Sequence, residues 1–422
     1  MSAKKINLVA IDMGYGHQRA AYPLLDLAGG EIISMNDYDG LPGWERKYWQ
    51  NNLEMYEKIS RFKKIPLLGR GVFSVMDYFQ RIKPFYPFRD LSRPSWQQLI
   101  FLRAIKKGLG LDLVKKLSSN GLPLVTTFFV TAYAADYHGY SGDIYCIVCD
   151  ADVSRAWAPI WPKKSRVKFF VPNEQVKTRL LMYGVKAENI LITGFPLPKD
   201  NIGDNREIVL GDLVQRLKHL DPNGKESAYY KQILASSIQA GENHHSKITL
   251  TFAVGGAGAQ AEIGASILGK LKNKLRAGNL HLNLVAGVRS EVKDLFNRAI
   301  IENGLEDCQH VNIIFAPNKL QYFKEFSQCL RKTDVLWTKP SELSFYCALG
   351  IPMIIAEPVG SQEDFNREWL LSIGAGVDGL SVEYINEWLP DLLNSGRLTR
   401  AAVDGFLNAE NLGVYNIERL FK

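Results

Sequence analysis

The sequence predicts an α/β protein made of two Rossmann-like, doubly wound parallel-sheet domains. Short apolar runs of strand length alternate with longer stretches of helical periodicity along nearly the whole chain. The alternation breaks once, at a polar stretch rich in turn formers, and then restarts. Each half opens with a strand that runs into a glycine-rich turn and a helix. Strands separated by helices are joined by crossovers, which makes the sheets parallel.

In the first half the strand candidates are 5–11, 31–35, 122–128, 144–149, 167–171 and 190–193, with helical stretches at 43–60, 95–119 and 174–184. The polar clusters Asn201-Ile202-Gly203-Asp204-Asn205, Asp221-Pro222-Asn223-Gly224 and Gly241-Glu242-Asn243-His244-His245-Ser246 mark 199–246 as a connection with short helical pieces. That places domains at 1–198 and 247–422. Strands are expected again at 247–254, 281–286, 311–315, 335–338 and 353–356.

Composition sets the outer limits. With 422 residues, 46% hydrophobic and 23% charged, the chain has globular proportions, which excludes disordered, collagen-like and coiled-coil readings. Five cysteines are too few for a disulfide scaffold. Lys4-Lys5 lead directly into the first strand, so no secretory leader is expected, and the longest mostly apolar stretch, 122–135, is too short to span a bilayer. A cytoplasmic, reduced protein is the expectation.

The net charge of +7 is unevenly distributed. Between Lys58 and Lys116 there are 14 Lys or Arg against three Asp, a surplus of +11, so the remainder nets −4. The same stretch holds Phe62, Phe73, Tyr78, Phe79, Phe85, Tyr86, Phe88, Trp96 and Phe101. Basic residues interleaved with aromatics suit an anionic membrane surface or nucleic acid. They are equally the pattern of solvated helix faces over an ordinary core. No recognised nucleic-acid module accompanies them, and no nucleic-acid partner is expected.

Three blocks carry chemistry. The first turn reads Gly14-Tyr15-Gly16-His17-Gln18. Glycines there let backbone amides approach a ligand, and the helix start favours negative charge. The helix dipole disfavours a protonated His17, leaving a neutral base at pH 7. The other reading is a tight turn with an exposed histidine. The second turn, Val254-Gly255-Gly256-Ala257-Gly258-Ala259-Gln260, suits a diphosphate and lacks the Lys-Ser/Thr of a P-loop. The third comprises Thr338-Lys339-Pro340-Ser341-Glu342, Gly350-Ile351-Pro352 and Gln362-Glu363-Asp364-Phe365-Asn366, all beside strands of the second half. Ligands bind at the carboxyl edge of such sheets, where Lys339, Glu342, Gln362 and Asn366 could supply charge and hydrogen bonds. Ser341 could equally be a helix cap. Cys146 and Cys149, three apart on a strand, do not form a zinc or redox pair. His244-His245 reads as solvated loop, and Asp150-Ala151-Asp152 as a weak D-x-D.

Taken in order, these blocks resemble the processive diacylglycerol glucosyltransferases and monogalactosyldiacylglycerol synthases, and more distantly the peptidoglycan UDP-GlcNAc transferase. Gly14-Tyr15-Gly16-His17 is similar to that family's opening G-x-G-H turn, Thr126-Thr127-Phe128 to its T-T-F, and Cys149-Asp150 with Trp157 to its T-D and tryptophan. Phe170-Val171-Pro172, Gly184-Val185 and Ile190-Leu191-Ile192-Thr193-Gly194-Phe195-Pro196 resemble its next run. Thr338-Lys339-Pro340, Gly350-Ile351-Pro352, Gln362 to Asn366 and Gly374-Ala375-Gly376 resemble its second half. Stretches 40–116 and 199–246 lie outside the resemblance.

The resemblance implies a GT-B fold, with the two domains facing across a cleft, and an inverting glycosyltransferase that uses no metal and no cofactor. The acceptor side would be domain 1–198, with His17 as catalytic base and Gly14, Tyr15, Gly16 and Asp150 in its loops. The nucleotide sugar, UDP-linked, would bind domain 247–422 through Gly255, Gly256, Gly258, Ala259, Arg289, Lys339, Ser341, Glu342, Gln362, Glu363 and Asn366. The stretch 58–116 would meet an anionic membrane at its inner face. Four positions depart from the family: Ser341-Glu342 stand where it has two glycines, Phe345 where it has a ribose-holding carboxylate, and Ser154 where it has a histidine. A GT-B-shaped binding protein without turnover and a UDP-sugar 2-epimerase are the alternatives.

Overall fold

The computed structural model describes residues 4–62, 82–231, 247–255, 258, 260–358 and 360–422. They form two compact units: Met1–Pro196 with Gly360–Phe365 and Leu412–Lys422, and Leu197–Val359 with Asn366–Asn411.

The first unit is built on a six-stranded parallel sheet of β1 (Asn7–Ala10), β2 (Ile33–Ser34), β3 (Leu124–Thr126), β4 (Ile144–Ile147), β5 (Lys168–Val171) and β6 (Ile190–Ile192). The strand order is β2-β1-β3-β4-β5-β6, with Val9 between Ile33 and Thr126. All four residues of β1 are buried, as a strand covered on both faces requires. The polar exception, Asn7, donates to Leu117 O, Asn120 Oδ1 and Tyr140 OH. Helices Gly43–Phe62, Trp96–Lys106, Leu111–Ser118, Phe129–Tyr137 and Glu174–Met182 cover the sheet. The expected single helix over 95–119 is two, because the chain turns at Gly108 (φ 105°) and Gly110 (φ 78°). A Cβ on Gly110 would lie 2.7 Å from Ala134 Cβ, so the turn also needs glycine for space.

The second unit has its own six-stranded parallel sheet: β7 (Ile248–Ala253), β8 (Leu280–Gly287), β9 (Val311–Phe315), β10 (Val335–Thr338), β11 (Met353–Ile355) and β12 (Gly376–Asp378), in the order β12-β11-β10-β7-β8-β9. β12, three residues long, is a strand that periodicity does not announce. Helix Ala261–Arg276 lies close on the sheet through Gly264, where a Cβ would meet Phe252 and Phe296 at 2.8 Å. Helix Glu207–Leu220, from the stretch expected to connect the domains, clusters with this unit. Leu213 packs on Gly350, and buried Arg216 donates to the carbonyls of Thr333 and Leu349. His244-His245 lie outside the described residues.

Both sheets reverse their strand order at one place, between β1 and β3 in the first unit and between β7 and β10 in the second. At such a point the loops leave the strands in opposite directions and open a crevice at the carboxyl ends.

Candidate active site

The buried strand β1 delivers the chain to the first reversal point, and Gly14 (φ 102°) turns it into helix Gly16–Ala21. Tyr15 is buried beside Arg19, whose guanidinium carbon lies 5.9 Å from the Tyr15 ring centroid. His17 stands in the first turn of that helix, with Nδ1 2.6 Å from the Thr127 carbonyl oxygen. Thr127 follows β3 directly, so the contact joins the two strand ends between which the order reverses. A carbonyl only accepts, so Nδ1 carries the proton and donates; in the neutral ring Nε2 is then the basic nitrogen. The ring meets Phe128 edge-on at 5.3 Å and stacks toward Trp157 at 6.3 Å, and Cys149 Sγ lies 3.9 Å from Nδ1.

His17 lines a cavity of about 410 Å³ in the first unit. Its walls are mostly apolar, with Met13, Tyr48, Phe101, Phe128, Phe129 and Trp157 prominent. Asn52, Gln97, Asp150 and Ser154 supply polar groups, as does Gln362 from the segment that clusters with this unit. Glu363 belongs to the same segment. The two carboxylates of Asp150-Ala151-Asp152 part company. Asp150 lines the cavity, whereas Asp152 is wholly buried and holds Arg179 through both oxygens, at 2.9 and 2.7 Å. Ser154, at the family's histidine position, is also a cavity wall.

In the second unit the motif residues again gather where the strand order reverses. Lys339, just after β10, passes over Gly255, just after β7; a Cβ on Gly255 would lie 2.2 Å from Lys339 Cε. Gly258 has φ +68° and packs against Arg289, with a built Cβ 3.2 Å from Arg289 Cδ. Arg289 also pairs with Glu291 at 3.2 Å. Gly258 N–H donates to Gly255 O at 2.8 Å, closing the turn. Asn366 is wholly buried and donates to Pro340 O at 3.2 Å, which ties down the loop carrying Lys339. Ser341 and Glu342 are half-buried at the start of the 3₁₀ turn Glu342–Leu349. Phe345 is buried against the Trp369 ring at 5.0 Å, so its position is part of the apolar core. Gly256 and Ala259 lie outside the described residues.

Sequence reasoning did not single out Met13, Tyr48, Asn52 or Gln97 as cavity residues, nor the Thr127 carbonyl as the partner of His17. Tyr48 and Asn52 sit one turn apart on helix Gly43–Phe62, a spacing that places them on one face without saying which way that face points.

Comparison with known proteins agrees with the resemblance seen in the motifs. The chain is 24% identical over 236 residues to the processive diacylglycerol beta-glucosyltransferase of Bacillus subtilis (strain 168), covering 56% of this chain and 51% of the relative. It is 26% identical over 240 residues to the enzyme of the same name from Bacillus licheniformis, again covering 56% and 51%. The chain thus matches about half the length of these curated relatives. No family model matches it. Among solved structures it is similar to the UDP-GlcNAc 2-epimerase from Neisseria meningitidis bound to UDP-GlcNAc, at 14% identity, 99% and 98% coverage and a TM-score of 0.49. It is also similar to MurG from Acinetobacter baumannii, at 12% identity, 99% coverage of both chains and a TM-score of 0.49.

Proposed function

We propose that this protein is a glycosyltransferase of the GT-B class. It moves a hexose from a UDP-linked donor to the hydroxyl of a membrane lipid, with inversion and without a metal ion. The observation that carries the reading is His17, fixed in one tautomer by the Thr127 carbonyl at the wall of an aromatic cavity. Nε2 of such a ring takes the proton as the acceptor oxygen attacks the anomeric carbon. The bond from that carbon to the diphosphate breaks, and the leaving charge passes to the nucleotide. Lys339 and Arg289, packed against Gly255 and Gly258, are the cationic groups that would receive it. The apolar cavity suits an acceptor with a hydrophobic part, and diacylglycerol is the acceptor named for the curated relatives.

A peripheral membrane contact fits the same reading. No helix among the described residues is long and apolar enough to cross a membrane. Tyr86 and Phe88 are 70% and 62% exposed and cluster with Phe85, and Lys83, Arg89 and Arg93 share their loop. Aromatic rings beside basic side chains suit the interface of an anionic bilayer. Phe73, Tyr78 and Phe79 lie outside the described residues. Vesicle binding through this surface is expected to weaken steeply as salt rises; binding indifferent to salt would remove the membrane from the account.

The donor side is tested by calorimetric titration with UDP, ADP, GDP, CDP and TDP. The reading expects selective binding of UDP that Gly255→Val abolishes, and binding of no nucleotide would overturn it. Phe345, packed against Trp369 where the family has a carboxylate, favours one second reading: a GT-B-shaped binding protein without turnover. Donor consumption separates the two.

A further inference from the structure

Beside the His17 cavity the first unit has a second one, of about 620 Å³, with a different character. Four cations line it, Lys83, Arg89, Arg93 and Arg155, and no Asp or Glu does. Its remaining walls mix apolar groups such as Leu91 and Trp96 with the hydroxyls of Ser95, Ser154 and Tyr183. Trp96, Gln97, Ser154 and Ala156 belong to both cavities, so a shared wall separates them.

Two of the guanidinium groups are held in place by neutral acceptors. Arg155 is 8% exposed and donates to Ser92 O at 2.7 and 3.3 Å, Ala158 O at 2.8 Å and Pro159 O at 3.1 Å. Arg89 donates to Pro87 O at 2.7 Å and Pro84 O at 3.1 Å. Carbonyl dipoles orient a guanidinium but do not cancel its charge. Among the described residues none of the four cations forms an ion pair with a carboxylate. Asp90 is exposed, accepts the Ser92 N–H at 2.7 Å and does not line the cavity; it attracts Arg155 and Arg93 without forming an ion pair with either. Burial works against the charged form of Arg155 and depresses its pKa. A buried cation whose acidic partner acts only from a distance costs stability, and part of that cost is recovered when an anion enters.

We propose that this cavity is a binding site for a phosphate group carried on a larger molecule. Ammonium and guanidinium groups both pair with phosphate oxygens, and four positive charges exceed what one carboxylate would need. The volume lies within the range of ligand pockets, roughly 300–1,000 Å³, and exceeds the needs of a bare ion. The apolar walls accommodate the carbon skeleton that bears the phosphate. The proposal stands independently of sugar transfer, because it rests on charge and shape at a cavity that His17 does not line.

The test uses the full chain without any sugar donor. Inorganic phosphate and glycerol 3-phosphate are titrated by calorimetry. In parallel, the protein is offered phosphatidylcholine vesicles containing either phosphatidic acid or oleate, matched for surface charge. Binding of inorganic phosphate or glycerol 3-phosphate identifies a free phosphate compound as the ligand, whereas preference for phosphatidic acid over oleate without soluble binding identifies a lipid headgroup. In both cases Lys83→Gln with Arg89→Gln should weaken binding roughly ten- to a hundredfold, the loss expected for contacts to a charged group. The exposed Arg93→Gln, which spares the carbonyl-held guanidiniums, should weaken it in the same direction. His17→Ala should leave it unchanged, so failure of the transferase reading would not be mistaken for failure of this one. No binding of the soluble compounds together with equal or no affinity for the two kinds of vesicle, or binding unaltered in the variants, would overturn the proposal.

Discussion

At the level of single residues, the account turns on which groups are held and by what. His17 is held by a backbone carbonyl, so its tautomer is set by the position of the strand after which Thr127 falls and not by the Thr127 side chain. His17→Ala is therefore expected to lower turnover about 10²–10⁴-fold while leaving UDP affinity unchanged. Thr127→Val keeps the carbonyl and should keep the rate. A matching loss of donor affinity in His17→Ala would make the histidine a binding residue. Arg179 presents the opposite case, a buried cation that is paired. It bridges both oxygens of Asp152 and lies 4.9 Å from the Phe85 ring centroid. Arg179→Met strands a buried carboxylate and should cost about 3–5 kcal/mol in urea unfolding; the added change Asp152→Asn should return part of it. His17 was legible in the sequence because glycines flag its turn. Its partner was not, since any residue type supplies a carbonyl. Asp152 was read together with Asp150, and only the packing of helix Glu174–Met182 shows that the two serve different ends.

Among the elements, the strand-to-helix turns carry the most information. Short apolar runs mark every strand except β12 to within a residue or two, because a parallel strand covered on both faces is largely apolar. Helix Gly43–Phe62 was equally readable in extent, yet the direction of its Tyr48–Asn52 face depends on distant packing that periodicity does not encode. The split of 95–119 shows the same limit: Gly108 and Gly110 are visible, but only the contact of Gly110 with Ala134 makes the turn obligatory. In the second unit, the close passage of Lys339 over Gly255 ties two motifs 84 positions apart to one site. Gly255→Ala drives a Cβ into the flexible end of that lysine, which can swing aside without unfolding the unit. The expectation is near-normal thermal stability with weakened UDP binding. A large fall in melting temperature with affinity preserved would mean that the glycine serves packing alone.

For the whole molecule, the sequence indicated two domains with a polar connection, whereas the contacts show a less linear division. Leu412–Lys422 clusters with the first unit although it follows the second in the chain. Its anchor is tight: a Cβ on Gly413 would lie 2.2 Å from Phe195 O, Asn416 donates to Thr193 O, and Phe421 meets the Tyr145 and Phe170 rings. Gly413→Ala presses against backbone with no flexible atom to yield, and should cost ~1–3 kcal/mol as overpacking. Nothing in the sequence of these last residues announces where they dock, because the docking surface is assembled from strands and loops far away in the chain. The parallel, doubly wound character of the sheets was more legible than this return, since it follows from the alternation of elements. Each sheet places its motif residues where its strand order reverses, His17 with Thr127 in one and Gly255 with Lys339 in the other.

The most direct test of the central claim is release of UDP from UDP-glucose by the purified protein, measured with and without diacylglycerol in anionic vesicles. The account predicts release that depends on the lipid, forms a glycosylated lipid in equal amount, and is lost in His17→Ala. Tight UDP binding with no release under any acceptor would contradict it and leave a nucleotide-binding protein that does not transfer sugar.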